Sequence, residues 1–174
     1  MNYIFTLKYQ LADPESDVDA LIERLGEAGC DDALVGIGLP GRLALEFTRE
    51  AESAEAAVRS ALMDVKRAIP SATLIEAAPD FVGLSDVAEL VGVSRQNIRK
   101  LMLAHPDTFP APVHEGSTWI WHLADVLLWL EATVGYALDQ ASIATARATL
   151  EVNLAKEASR LPAKSARELK QWVA

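Results

Sequence analysis

Residues 84–103 have the sequence LSDVAELVGVSRQNIRKLML, in which two helical apolar patterns flank a glycine. Ser85 is expected to cap the first helix and Ser94 the second, because a serine side chain accepts hydrogen bonds from free N–H groups. Gly92 stands where the chain must turn sharply and is expected to have a positive φ. Small and aliphatic side chains supply the predicted packing faces: Val87, Ala88, Leu90, Val91, Val93, Ile98, Leu101 and Met102. The stretch therefore predicts two short helices that cross closely.

The second helix, at 94–103, presents polar side chains on its predicted outer face. These are Arg95, Gln96, Asn97, Arg99 and Lys100. In the major groove, arginine binds guanine and asparagine or glutamine binds adenine through paired hydrogen bonds, whereas lysine suits a phosphate. The alternative is an ordinary solvated helix face. The alanine, glycine, valine and serine around the turn favour DNA reading, because together they are similar to the helix-turn-helix of bacterial DNA-binding proteins.

The following residues, 107–132, predict a Phe-Pro-x-Pro turn, a hairpin with a Gly-Ser tip and a further helix. This pattern resembles the winged domain of excisionase-like regulators, the phage AlpA and MerR-related group. The resemblance depends on Phe109-Pro110-Ala111-Pro112, Gly116-Ser117, Trp121, Asp125-Val126 and Trp129-Leu130. It spans residues 81–132 and implies sequence-specific binding of double-stranded DNA. It also implies that the wing tip, with Ser117 and Thr118, contacts the DNA backbone or the minor groove.

The predicted wing departs from that group, whose wings are usually basic. It contains His114 and Glu115, and His122 follows the tip. Glu115 repels phosphate, and each lost phosphate contact lowers the salt dependence of binding by about one unit of slope. Two interpretations stay open: the wing has lost its DNA contact, or it serves a protein partner. In either case the affinity depends on the three cations of the second helix, presented twice by a dimer.

Residues 1–79 predict a separate unit. The order of elements is strand, helix, strand, strand, helix, strand, which is the ferredoxin-like split pattern. The predicted strands are 3–11, 33–39, 42–48 and 72–78. Helical spacing begins at Ser16, and the inward residues of that first helix are predicted to be Val18, Leu21, Ile22 and Leu25. Ser53 and Pro70 are predicted to mark the start and end of the second helix. The stretch GIGLPG at 36–41 favours a turn over a phosphate-binding loop, because no helix is predicted to follow it directly.

Together these units predict an α+β protein: a ferredoxin-like domain at 1–79, a winged helix-turn-helix at 81–134 and C-terminal helices at 138–174. The net charge is −9, and it is concentrated in residues 1–80, with 7 Lys/Arg against 15 Asp/Glu. Residues 81–133 have 3 against 6, and residues 134–174 have 6 against 4. This balance opposes binding to a polyanion. A long helix at 139–160 carries a narrow apolar stripe, which either forms a dimer contact or packs on its own chain.

Other chemistry finds little support. The sequence contains none of the common catalytic or nucleotide-binding motifs, so no enzymatic activity, cofactor or metal is expected. No common metal-ligand spacing is matched by the three histidines, His105, His114 and His122. Core packing is favoured over base stacking for three tryptophans, Trp119, Trp121 and Trp129. Asp31 and Asp32 are interpreted as a solvated loop. A single cysteine, Cys30, and no signal-peptide or membrane-span pattern indicate a cytoplasmic protein without membrane contact.

The predicted function is that of a transcriptional regulator that binds a short inverted repeat as a homodimer, through the recognition helix at 94–103. Two half-sites about 34 Å apart would offset the unfavourable charge. One alternative is an antitoxin-type autoregulator, whose acidic domain at 1–79 binds a basic, toxin-like protein. The other is a protein–protein adaptor whose winged domain no longer binds DNA. Against the adaptor, a partner-binding helix would be expected to expose more apolar anchors.

Overall fold

The structure, a computed structural model, describes residues 1–12 and 17–173 of the chain. In chain order the elements are β1 (Asn2–Gln10), α1 (Val18–Glu27), β2 (Ala33–Ile37), β3 (Arg42–Glu50), α2 (Ala54–Ala68), β4 (Thr73–Ala78), β5 (Phe81–Val82), α3 (Leu84–Val91), α4 (Arg95–Ala104), β6 (Trp121–His122), α5 (Leu123–Trp129), α6 (Gln140–Ala158) and α7 (Ala163–Val173). A π-helical turn, Leu130–Val134, follows α5. The predicted α+β class is confirmed. Ser16, where helical spacing was predicted to begin, lies outside the described residues.

The first four strands form one antiparallel sheet in the order β2-β3-β1-β4. Alternate residues of β1 point to the helical side of this sheet, so Tyr3, Phe5, Leu7 and Tyr9 are all buried. Opposite Phe5 in the register lies Phe47, and the two rings stack with centroids 5.2 Å apart. Aromatic pairs of this kind across strands fix the register of the sheet.

Two helices cover the buried side of the sheet. The Ser53 hydroxyl accepts a hydrogen bond from the Ala56 N–H at 3.1 Å, which confirms the predicted start of α2. In α1, Leu21 and Leu25 are buried, but Val18 and Ile22 are 40% and 44% exposed, so their predicted inward position is wrong. The reason is geometric: residues 21 and 25 lie on one line of the helix, and residues 18 and 22 lie on the next line, at the margin of the contact.

The buried side chains between the sheet and helices α1 and α2 form the first core. A second core lies among the short elements from β5 to α5, and α6 packs against both cores. Ala148 of α6 belongs to the first core, whereas Ile143 and Ala146 belong to the second. The apolar stripe is predicted to consist of Ile143, Ala146, Leu150, Leu154 and Leu161. Ile143 and Ala146 are buried in their own chain and Leu150 is half-buried, whereas Leu154 and Leu161 are exposed. No helix in residues 1–12 and 17–173 is both long enough and apolar enough to cross a membrane.

Candidate nucleic-acid interface

The turn between α3 and α4 has the geometry that the sequence predicts. Gly92 has φ 72° and ψ 32°, the left-handed conformation, which confirms the predicted positive φ. The Val93 N–H donates to the Ala88 carbonyl at 2.9 Å, and this bond closes the end of α3. Ala88 is buried where the two helices meet. The left-handed glycine therefore fixes the angle at which α4 leaves α3.

The start of α3 differs from the prediction. The helix begins at Leu84, which places Ser85 inside its first turn and makes Gly83 the cap residue, so the predicted cap role of Ser85 is wrong. Instead, the Gly83 N–H donates to the Asp86 carboxylate at 2.7 Å. An acidic side chain at the third helical position can reach back in this way, so no capping serine is needed. Leu90, predicted on the packing face, is exposed.

The start of α4 agrees with the prediction. The Ser94 hydroxyl accepts from the Asn97 N–H at 3.2 Å. Ile98 is fully buried, and Leu101 and Met102 are half-buried against the second core. The inward side of α4 is thereby anchored, so the opposite side is held towards solvent.

The predicted outer face of α4 is exposed at every position. Its residues are Arg95, Gln96, Asn97, Arg99 and Lys100. Arg95 and Arg99 are four residues apart and form one row, while Gln96 and Lys100 form the neighbouring row. Among the described residues, none of the three cations forms an ion pair. A helix of ten residues is about 15 Å long. This face thus offers a compact set of free hydrogen-bond donors.

The hairpin predicted for the wing is shorter in the structure. A single bridge, His114 with Ile120, joins its two arms, and β6 pairs with β5 instead of with the first arm. Pro110 and Pro112 in that arm have no N–H, so a continuous ladder cannot form there. The predicted tip residues, Ser117 and Thr118, are exposed in a loop. The predicted two-stranded hairpin around Gly116-Ser117 is therefore wrong in extent.

Two of the three tryptophans pack in the second core. The Trp121 indole donates to the Pro110 carbonyl at 3.0 Å, and the Trp129 indole donates to the Thr108 hydroxyl at 3.3 Å. Both are buried and lie edge-on to Phe109, which confirms their predicted core role. Trp119 is 45% exposed, so the core prediction is wrong for it. Strand β6 begins only at Trp121, and therefore strand alternation does not extend back to Trp119.

The three histidines lie in separate settings. His105 packs its ring against Trp129 at 5.4 Å between centroids, and His114 forms the wing bridge. His122 Nδ1 lies 2.7 Å from a carboxylate oxygen of Asp80. Within residues 1–12 and 17–173, no group of three or more His, Cys, Asp or Glu side chains could hold a metal ion.

Asp80 is a buried carboxylate that sequence reasoning did not identify. Its second oxygen accepts from the Asn153 amide of α6 at 2.8 Å, and its backbone carbonyl accepts from the Leu123 N–H at 2.7 Å. Asn153 also bonds both the N–H and the carbonyl of Ala77, at 2.9 and 2.8 Å. The Asp80 carboxylate, just after the end of β4, thus connects β6 with α6. Its partners are 42 and 73 residues away, so spacing gave no signal.

A second buried polar cluster surrounds Arg49 in the sheet unit. Its guanidinium donates to both oxygens of Asp32, at 2.7 and 2.8 Å, and to Asp64 at 2.7 Å. The hydrogen bonds that Arg49 donates to the Asp32 carboxylate raise the pKa of Arg49 above its ordinary value. Asp32 is therefore an ion-pair partner, which corrects its interpretation as part of a solvated loop.

Burial raises the pKa of the neighbouring Cys30 thiol to about 11, so that side chain stays protonated near neutral pH.

A groove of about 430 Å³ opens between the four-stranded sheet and helices α3, α5 and α6. Ile4 and Thr6 of β1 line one side, Leu90 of α3 and Leu123 of α5 line another, and Asp139 lies at the start of α6. A molecule large enough to fill this groove would contact both β1 and α3.

Comparison of the chain with protein-family models, with curated proteins and with solved structures gives no match in any of the three. The geometry of α3 and α4 and the charges around them are therefore the observations that bear on function.

Proposed function

We propose that this chain is a sequence-specific DNA-binding transcriptional regulator that reads an inverted repeat as a dimer. In this proposal residues 81–132 form an excisionase-like winged helix-turn-helix, residues 1–79 form a ferredoxin-like domain, and α4 enters the major groove. The observation that carries it is the exposed donor face of α4, held outward by the buried Ile98 on the other side of the helix.

The chemistry of that face suits base reading. Arg95 and Arg99 form one row and have no carboxylate partner among the described residues, so their guanidinium groups can pair with guanine without first breaking an ion pair. Gln96 offers the paired donor and acceptor that adenine requires. Lys100, one turn further along, suits a phosphate.

The reduced wing lowers the expected affinity of one copy. Its tip is exposed and offers Ser117 and Thr118, both uncharged, beside the acidic Glu115. Hydroxyl groups can bond phosphate oxygens, but they neutralise no charge, so the salt dependence of binding is expected to be shallow for a winged domain. Two copies on two half-sites supply the affinity that one copy lacks.

Fluorescence anisotropy tests this proposal, with a duplex from upstream of the coding sequence compared with a scrambled duplex across a salt series. Wild-type protein is expected to prefer the upstream duplex. Arg95→Ala and Arg99→Ala should each reduce that preference by about 1–3 kcal/mol, the value of one bidentate base contact. Arg59→Ala is the matched control, because Arg59 is an exposed helical arginine of α2, far along the chain from α4.

Equal affinity for both duplexes, unchanged by Arg95→Ala and Arg99→Ala, would reject DNA reading by α4. The adaptor function is the second candidate, and a specific observation favours it. Residues 81–132 expose six large apolar side chains of the kind that anchor protein partners: Phe81, Leu90, Leu103, Val113, Trp119 and Leu128. An antitoxin-type role for the acidic unit at 1–79 would instead appear as co-purification with a small basic protein.

A further inference from the structure

The C-terminal helix α7 carries an apolar face that its own chain leaves uncovered. None of its residues is buried, and Trp172 is 81% exposed. Leu169, Trp172 and Val173 stand three and four residues apart and so lie on one face of the helix. Contiguous exposed apolar side chains of this size mark a contact surface.

The same helix is basic, although the chain as a whole is acidic. The helix contains three cations, Lys164, Arg167 and Lys170, against one acid, Glu168. Among the described residues α7 forms one ion pair, Lys164 with Glu168, which has a long separation of 4.0 Å and is exposed. A partner of α7 should therefore combine exposed apolar groups with negative charge.

Helix α1 has both properties. Val18 and Ile22 are one turn apart on the same side of the helix, and their side chains are 40% and 44% exposed. The acidic residues Asp19 and Glu23 lie beside this apolar line. Residues 17–32 contain six Asp/Glu and only one cation. Gly26 continues the line by one turn, and a Cβ there would meet no atom within 4 Å, so the surface has room for a large side chain.

We propose that α7 of one copy packs on α1 of a second copy, with Trp172 over the Val18–Ile22 line. Reciprocal exchange of the two helices produces a closed dimer with two identical contacts. Direct pairing of α7 with α7 is disfavoured, because it would bring two basic helices together. This inference rests on the proposed function in one respect: the dimer formed through α7 is the one that reads the two half-sites. The dimer contact is thus assigned to α7 and α1, and not to α6 as the sequence suggested.

The test is the dimer dissociation constant of the full chain, measured by sedimentation equilibrium without DNA. Trp172→Ala is expected to weaken the dimer by at least about tenfold, as loss of a tryptophan anchor does. Leu154→Ala is the matched control: Leu154 is an exposed apolar residue of α6 and should leave the constant unchanged. The residues are exposed, so circular dichroism should show intact folding for both variants.

Charge exchange identifies the partner surface. Reversing α7 (Lys164→Glu, Arg167→Glu, Lys170→Glu) or α1 (Asp19→Lys, Glu23→Lys) should weaken the dimer, and combining the two sets should restore it. A wild-type monomer at every concentration, a dimer indifferent to Trp172→Ala, or a failure of the combined sets to restore it would each overturn the inference. Since no DNA is present, these outcomes do not measure base reading by α4, which the anisotropy experiment decides separately, and loss of DNA binding alone leaves this inference untouched.

Discussion

Arg49 of the sheet unit and the two arginines of α4 differ in burial and in hydrogen bonding. Arg49 in the sheet unit is buried, and it donates to Asp32, to Asp64, to the Ser60 hydroxyl and to the Gly29 carbonyl. Arg95 and Arg99 on α4 are exposed and have no such partners among the described residues. A saturated guanidinium holds a fold together, whereas an unsaturated one is available to a ligand. The contrast separates a structural cation from candidate reading groups.

The largest expected effect comes from removing the buried cation. Arg49→Met leaves Asp32 and Asp64 without their partner, and breaking a buried ion pair on one side typically destabilises by about 3–5 kcal/mol. Arg95→Ala, by contrast, should change the free energy of unfolding by no more than about 0.5 kcal/mol. Urea unfolding of both variants measures this difference, and similar losses for the two would remove the distinction between the groups.

A smaller effect is expected at the turn that presents the exposed arginines. Gly92→Ala places a side chain at φ 72°, which destabilises by about 1–2 kcal/mol because a Cβ is strained in the left-handed region. No atom lies within 4 Å of a Cβ built there, so the loss reflects backbone strain and not a clash. Gly26→Ala, inside α1 and equally uncrowded, should stabilise instead, by about 0.5–1 kcal/mol. Equal shifts of the thermal midpoint in the two variants would contradict this account.

The smallest effect concerns the two serines near the helix starts. Ser94→Ala removes the hydroxyl that accepts from the Asn97 N–H and should destabilise by about 1 kcal/mol. Ser85→Ala should have almost no effect, because the Asp86 carboxylate and not Ser85 bonds the Gly83 N–H. Chemical unfolding of the pair distinguishes a cap from a helix-interior serine, and a larger loss at Ser85 would reverse the assignment.

Sequence reasoning succeeded where the decisive interactions are local. The Ser94 cap and the Gly92 turn each depend on residues within about four positions, so spacing contains the information. The Ser85 prediction was wrong because a glycine cap with an acid at the third helical position competes with a serine cap. The wing was predicted too long because two prolines remove ladder donors, which propensity alone does not count.

The buried polar groups could not be predicted in the same way. Arg49 pairs with Asp32 and Asp64, 17 and 15 residues away, and Asp80 pairs with Asn153 across 73 residues. Such pairs exist only after the sheet and α6 have brought distant segments together, and no alternation or periodicity marks them. The exposed line of Val18 and Ile22 was missed for a related reason, because helical spacing does not show where the sheet beneath α1 ends.

The bonds of Asp80 also limit how far residues 81–132 can be treated as a portable module. A fragment cut at residue 134 would lose Asn153, and with it one of the two side-chain partners of a carboxylate that is almost completely buried. The same cut would remove Ile143 and Ala146 from the second core and leave its remaining apolar side chains open to water. Grafting residues 81–132 onto another protein therefore requires that α6 be carried along or replaced by a surface that supplies an equivalent amide.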